Sequence, residues 1–223
     1  MRAVVLFSGG LDSTTVLVHA LNKEYEVNPL TIIYGQRHQI EVEKSKLTLQ
    51  KYNLEKKSTV FNIDLSWFSS CSLINTDLKV PEQVTSGISS TYVPSRNLIF
   101  LSIASGFAET LNAERILIGV NSVDYSGYPD CRPEFIKAMN KTLSTGTKKG
   151  VENSLSIEAP LINLSKKEII ELGISIGVDY ALTHSCYNPA EKGLSCGVCD
   201  SCRLRLEGFR QAGYKDPLNY VKT

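Results

Sequence analysis

The sequence has almost no charge imbalance, no long apolar run and neither of the commonest nucleotide-loop signatures, and each absence removes a class of protein. Lys and Arg total 24 against 23 Asp and Glu, a net charge of +1. Composition therefore offers no basic surface for nucleic acid or an anionic membrane. No apolar run reaches a membrane span, and the N-terminus reads as a strand, not as the charged and apolar regions of a secretion signal. The expectation is a soluble cytoplasmic protein with no nucleic-acid or membrane partner. The G-x-x-x-x-G-K-[ST] loop of γ-phosphate-cleaving NTPases is missing, and so is any G-x-G-x-x-G dinucleotide loop. No internal repeat occurs, and no linker divides the chain into two full domains. What remains is a chain of 223 residues, 42% apolar and 21% charged. Those proportions suit one substantial core, or a main domain with a small appendage.

The chain opens on an apolar run over residues 2–7, followed by Ser8-Gly9-Gly10-Leu11-Asp12-Ser13-Thr14-Thr15 and an apolar stripe of Val16, Leu17, Ala20 and Leu21 at helical spacing. This is a strand, a turn and a helix, the start of a βαβ unit. Two glycines let the backbone turn sharply and approach a ligand closely. A helix starting near Ser13 or Thr14 presents unpaired N–H groups to an anion, and Ser8, Ser13 and Thr14 add hydroxyl donors. A bare S-G-G is equally an ordinary capped turn. The full string is more specific and resembles the pyrophosphate loop of the N-type ATP pyrophosphatases, which cleave ATP between its α and β phosphates. That resemblance implies an ATP site over Phe7, Ser8, Gly9, Gly10, Leu11, Asp12, Ser13, Thr14, Thr15, Val16 and Leu17.

Further strands are expected at 27–34, 57–63, 115–120 and 157–162, with helices at 14–22, 38–52, 97–112 and 133–143, and from a Ser165–Glu168 capping box to about residue 177. Alternating strands and helices predict an α/β protein with a doubly wound, mostly parallel five-stranded sheet. Ligands in such sheets sit at the carboxyl ends of the strands, where the Ser8 loop and Tyr34-Gly35-Gln36-Arg37-His38 both emerge. Residues 65–92 lack periodicity and read either as a lid over a site or as a disordered excursion. Residues 121–132 place Asp124, Tyr125, Tyr128, Asp130 and Arg132 around Gly and Pro after a strand, which suits ligand binding better than a solvated turn.

Of six cysteines, Cys71 and Cys131 stand alone, while Cys186, Cys196, Cys199 and Cys202 crowd the C-terminal region. Two overlapping C-x-x-C hooks plus a fourth cysteine suit tetrahedral, structural zinc, with an iron–sulfur cluster or a redox pair as alternatives. His184 can substitute for one thiolate. Arg203, Arg205 and Arg210 follow on a final helix and read as a solvated basic face. The expected division is a nucleotide-binding α/β domain over 1–183 and a zinc-binding segment over 184–223 packed on it.

Several motifs then agree: the Ser8–Thr14 loop, Tyr34 to His38, Val93-Pro94-Ser95-Arg96-Asn97, Asp124-Tyr125-Ser126-Gly127-Tyr128-Pro129-Asp130-Cys131-Arg132 and the four cysteines. Together they resemble the 7-cyano-7-deazaguanine synthases, the preQ0-forming enzymes of queuosine biosynthesis. Two departures are visible: Ser95 stands where the family commonly has Gly, and the interval between the first two clustered cysteines is one residue longer than in some members. The resemblance implies an adenine-nucleotide α-hydrolase-like fold and ATP-driven conversion of 7-carboxy-7-deazaguanine and ammonia to the nitrile. It also implies Mg²⁺, one structural Zn²⁺ per subunit and a homodimer. Whether AMP and pyrophosphate or ADP and phosphate leave is open. On that reading Ser8, Gly9, Gly10, Ser13 and Thr14 hold phosphates and Asp12 organises Mg²⁺. Arg96 and Arg132 meet the substrate carboxylate or a phosphate, since guanidinium forks match both. Asn97 lies beside Arg96 in the substrate set. Asp124 or Asp130 accepts from the guanine-like edge, and Tyr125 or Tyr128 stacks on the ring. Asp12, Arg96 and Arg132 are thus the expected catalytic residues. Alternatives are a tRNA-thiolating relative, against which the near-zero charge argues, or a zinc-ribbon nucleic-acid binder whose loop no longer turns over ATP, against which the intact loop argues.

Overall fold

Apolar runs bounded by turn residues build the centre of the molecule. The computed structural model describes residues 1–36, 40–81, 88–123, 127–190 and 193–221, the side chains of 41 and 42 excepted. Strands β1 (Arg2–Leu6), β2 (Glu26–Ile33), β3 (Thr59–Asn62), β4 (Arg115–Leu117) and β5 (Ser156–Glu158) form one sheet in the order β3-β2-β1-β4-β5. Every pairing is parallel. Central β1 is apolar throughout because both its faces are covered. Ala3, Val5 and Phe7 enter one core, Val4 and Leu6 the other. Pro29 lies inside β2, yet pairing with β3 starts only at Leu30, so the amide it lacks is not needed there.

The first core takes α1 (Leu11–Asn22), α2 (Ile40–Lys51) and α6 (Lys166–Ser175); the second takes α3 (Arg96–Thr110) and α4 (Pro133–Gly146). A single-turn helix, α5 (Lys148–Val151), follows α4. Fully burying a Leu or Val of this kind contributes roughly 1.5–3 kcal/mol. The fifth strand is shorter than the expected 157–162, because Pro160 has no amide for the ladder and the chain instead turns, with Ile162 N–H donating to the Ala159 carbonyl at 3.1 Å. The loop after β3 is not simply an excursion. Leu65, Cys71, Leu73, Ile74 and Val93 form a small satellite core, and the Ser72 amide donates to the Ser90 carbonyl at 2.8 Å.

The last helix, α7 (Asp200–Gln211), packs on α6, and its Phe209 sits in the first core. Arg205 corrects the expectation of a solvated basic face. It is 2% exposed and forks onto Asp216, Nε to Oδ2 at 2.7 Å and Nη2 to Oδ1 at 3.0 Å. Its remaining donors reach Thr183 Oγ1 at 2.7 Å and the Tyr180 carbonyl at 3.0 Å. A guanidinium satisfied on every side in this way clamps the C-terminal residues onto the segment before the cysteines.

Ser95, the residue before α3, has φ of 55°, in the left-handed region that favours glycine. That explains physically why a Gly suits this position. Ser95→Gly is expected to stabilise the protein by about 1 kcal/mol, a rise in Tm of about 2–4 °C. A thermal melt with an unchanged or lower midpoint would show that Ser95 carries no strain.

Candidate functional site

The sheet reverses its winding between β1 and β4, and in an open α/β sheet that is where a crevice opens at the carboxyl ends of the strands. A cavity of about 240 Å³ lies there. Its floor is the turn after β1. Gly9 holds φ of 87°, which only glycine adopts without strain, whereas Gly10 is extended at φ −75° and caps α1. The helix thus starts at Leu11, earlier than expected, and its first turn has no side-chain cap. Ser13 Oγ instead closes the loop on itself, accepting from the Ser8 amide at 3.2 Å and donating to the Gly10 carbonyl at 3.3 Å. Gly119, just beyond β4, permits this packing: a Cβ there would stand 3.2 Å from the Ser13 nitrogen. An uncapped helix start, a tight glycine turn and inward hydroxyls fit an anionic ligand.

Phe7, Ser8, Gly10, Leu11, Asp12 and Ser13 line the cavity. Thr14, Thr15, Val16 and Leu17 do not; they are fully buried in the protein, and Thr15 Oγ1 donates to the Leu11 carbonyl at 2.9 Å. Asp12 is held by Lys166, whose Nζ is 2.8 Å from both carboxylate oxygens. Lys166 was not expected at the site: it reads as part of the capping box, and its partner lies across the fold.

Arg96, Tyr128 and Cys131 line the opposite wall with Tyr34 and Leu73. Arg96 is half-buried, and no carboxylate among the described residues forms an ion pair with it. Burial alone would weaken its hold on the proton, but Tyr34, Tyr187 and Cys131 outweigh that and keep its pKa above the ordinary value. Tyr128 stacks on Tyr92 with ring centroids 5.9 Å apart. Asn97 also reaches the cavity, but its polar groups are engaged: its amide N–H donates to Asp130 Oδ2 at 2.8 Å and its Nδ2 to the Asp130 carbonyl at 3.1 Å. Asp130 is buried beneath the wall and seats the start of α3. Arg132 is exposed at the N-cap of α4, away from the cavity lining. Asp124 and Tyr125 lie outside the described residues, as do Arg37 and His38 of the Tyr34 motif.

The four clustered cysteines meet. Sulfurs of Cys186, Cys196, Cys199 and Cys202 all lie within 4.8 Å of one another. A tetrahedral ion with metal–sulfur bonds of about 2.3 Å needs sulfurs roughly 3.8 Å apart, and Cys196 and Cys202 stand at 4.0 Å. Backbone amides point at the sulfurs, Cys196 N–H to Cys186 Sγ at 3.3 Å and Cys199 N–H to Cys196 Sγ at 3.4 Å. Such donors stabilise negative sulfur. Hydrogen bonds from Cys186 and Cys202 push the Cys199 thiol far down, and Cys199 in turn pushes Cys186 up to about 12. Thiols packed this tightly ionise together only around a cation, so the cluster can hold a metal ion. The same segment touches the loop: His184 N–H donates to the Gly9 carbonyl at 3.0 Å, Leu11 N–H reaches Ser185 Oγ at 3.4 Å, and Ser185, Tyr187 and Ser201 line the cavity.

Comparison with known proteins agrees with this architecture. The solved NMN synthetase from Francisella tularensis is similar in fold, with a TM-score of 0.52 at 14% identity, covering 96% of this chain and 77% of that one. In sequence, the 7-cyano-7-deazaguanine synthase of Cellvibrio japonicus is 51% identical over 222 residues, 99% of this chain and 98% of that protein. The 7-cyano-7-deazaguanine synthase of Geobacter sp. (strain M21) is 52% identical over 223 residues, with the same coverage of both. The profile of the family described as "Queuosine biosynthesis protein QueC" matches residues 2–213. With a match over nearly its whole length, the chain belongs to the QueC family.

Proposed function

We propose that this chain converts 7-carboxy-7-deazaguanine and ammonia to 7-cyano-7-deazaguanine at the expense of ATP, as a carbon–nitrogen ligase. The observation that carries this reading is the single cavity that brings together an anion loop and the Arg96 guanidinium, which has no carboxylate partner among the described residues. Half-identical relatives of that name support it. A carboxylate must lose both oxygens to become a nitrile. In the first half-reaction a carboxylate oxygen attacks the α-phosphorus of ATP and pyrophosphate leaves. Ammonia then attacks the acyl carbon, AMP departs with the oxygen, and a proton is lost to give the amide. In the second, the amide oxygen attacks the α-phosphorus of another ATP and pyrophosphate leaves; loss of AMP and of the two nitrogen-bound protons then forms the nitrile. Nothing here needs a covalent bond to protein, so catalysis is positioning and charge stabilisation.

The loop amides with Ser8 and Ser13 receive the phosphates, Arg96 pairs with the substrate carboxylate, and Tyr128 offers a ring face to the deazaguanine. Mg²⁺ would be shared by Asp12 and would neutralise phosphate charge. Zinc is our choice for the four-cysteine cluster, because four protein sulfurs leave no open position for catalysis. The homodimer implied by the family resemblance is checked by sedimentation. The reaction itself is tested by mass spectrometry of purified protein with 7-carboxy-7-deazaguanine, ammonium chloride, ATP and Mg²⁺. A nitrile with AMP supports the whole scheme. A nitrile with ADP keeps the enzyme and replaces its phosphate chemistry, and an unchanged purine overturns the assignment.

Lys166 tests the loop's electrostatics. Its Nζ is only partly exposed and neutralises Asp12 beside the proposed phosphates. Lys166→Met is expected to lower kcat/KM for ATP by about tenfold or more. Kinetics within about twofold of the parent protein would remove Lys166 from the site.

A further inference from the structure

A second cavity, of about 760 Å³, opens between α2 and the C-terminal segment, where Ile40, Glu43, Ala190, Leu194 and Pro217 stand on its wall. Among the described residues only His184 lines both this cavity and the main cleft. Its side chain is 2% exposed, yet Nε2 has no hydrogen-bond partner. Buried polar atoms are normally paired, so a nitrogen left unpaired between two cavities points to a ligand. Its backbone is fixed to the anion loop, through the 3.0 Å bond from His184 N–H to the Gly9 carbonyl. That bond sets the His184 backbone beside the loop proposed to hold the phosphates.

We propose that the second cavity is the path by which ammonia reaches the main cleft, and that His184 Nε2 is the contact that holds it on the way. This rests on the reaction proposed above. On the proposed reaction the two larger substrates occupy the main cleft, so the smallest one gains from a separate approach. Lys44 stands on the wall of the second cavity and repels a cation approaching His184, so neutral ammonia passes more readily than ammonium. At the ring, Nε2 accepts one ammonia N–H, which leaves the nitrogen lone pair free to attack the activated carbonyl. No bond to His184 is made or broken; it is a positioning residue.

The test varies ammonium chloride at fixed pH with metal-replete protein, saturating ATP and 7-carboxy-7-deazaguanine. His184→Phe, which removes the acceptor and keeps the bulk, is expected to raise KM for ammonium about tenfold while KM for ATP stays within about twofold. His184→Gln, which keeps a polar atom, is expected to recover much of the loss. Ala190→Trp fills the outer cavity at an exposed position far in sequence from the loop, and it is expected to raise the ammonium KM with Tm unchanged. That variant decides the matter if His184→Phe does not fold. An unmoved ammonium KM in the folded variants overturns the path while nitrile formation by the parent protein leaves the reaction standing. If the parent protein forms no nitrile, both fall.

Discussion

Cys199→Ala is expected to empty the cysteine cluster, lower Tm by about 10 °C or more and abolish turnover together. Cys199 is both a member of the cluster and the N-cap of α7, and its sulfur accepts from the Tyr187 amide at 3.5 Å. Structural zinc supplies roughly 10–16 kcal/mol of apparent binding free energy. Losing about a third of that at the roughly 2–4 °C per kcal/mol typical of this chain length gives a shift of this size. Turnover goes too, because the segment is wired to the site: His184 holds Gly9, Ser185 meets Leu11, and Ser185, Tyr187 and Ser201 form cavity wall. Cys71→Ala is the control, since Cys71 is buried in the satellite core away from the cluster. It is expected to keep its metal and lose only the stability of a small cavity. Elemental analysis and thermal melts of the two variants read the difference. Cys199→Ala protein that retains one metal ion per chain would show that the cluster is not the site.

What local pattern reveals, and what it hides, follows from the range of the interactions. β1 was legible because a strand covered on both faces must be apolar at every position, as Ala3, Val4 and Val5 are. The capping box was legible because its parts lie three residues apart: the Ser165 hydroxyl accepts from the Glu168 amide at 3.3 Å, and Glu168 Oε2 accepts from the Ser165 amide at 2.7 Å. The spacing of the cysteines carried the cluster for the same reason. Arg205 was hidden because a charge on an amphipathic helix reads as solvated, and its carboxylate partner lies on irregular chain beyond the helix end. Lys166 was hidden because Asp12 is 154 residues away. Asn97 and Asp130 are polar residues in a motif rich in binding chemistry, and residue type alone does not separate a group facing a ligand from one that satisfies its neighbour. The satellite core after β3 was hidden because its apolar residues follow no period.

Arg96→Ala is expected to cut kcat/KM for the carboxylate substrate by about 100-fold while Tm changes little. The two halves of that expectation come from the same geometry. Arg96 is the first residue of α3, so its positive charge faces the positive end of the helix dipole. It is half-buried, and no carboxylate among the described residues pairs with it. Like charge at a helix start costs about 0.3–1 kcal/mol and burial adds to that cost, while Tyr34, Tyr187 and Cys131 offset it, so removing the guanidinium leaves the fold nearly unchanged in stability. The function, by contrast, loses its anion contact. Truncating one partner of a desolvated, hydrogen-bonded charge pair costs about 2–5 kcal/mol, and about 100-fold lies within that range. Arg96→Lys separates charge from shape. It keeps the cation and loses the planar fork, so its activity is expected between the two, with KM for the carboxylate substrate raised more than KM for ATP. A scaffold residue would behave in the opposite way, with Arg96→Ala lowering Tm and leaving kcat/KM of the folded protein unchanged. Melting curves and steady-state kinetics on the same preparations distinguish the two cases, because losing an anion-binding arginine costs activity and leaves stability nearly unchanged.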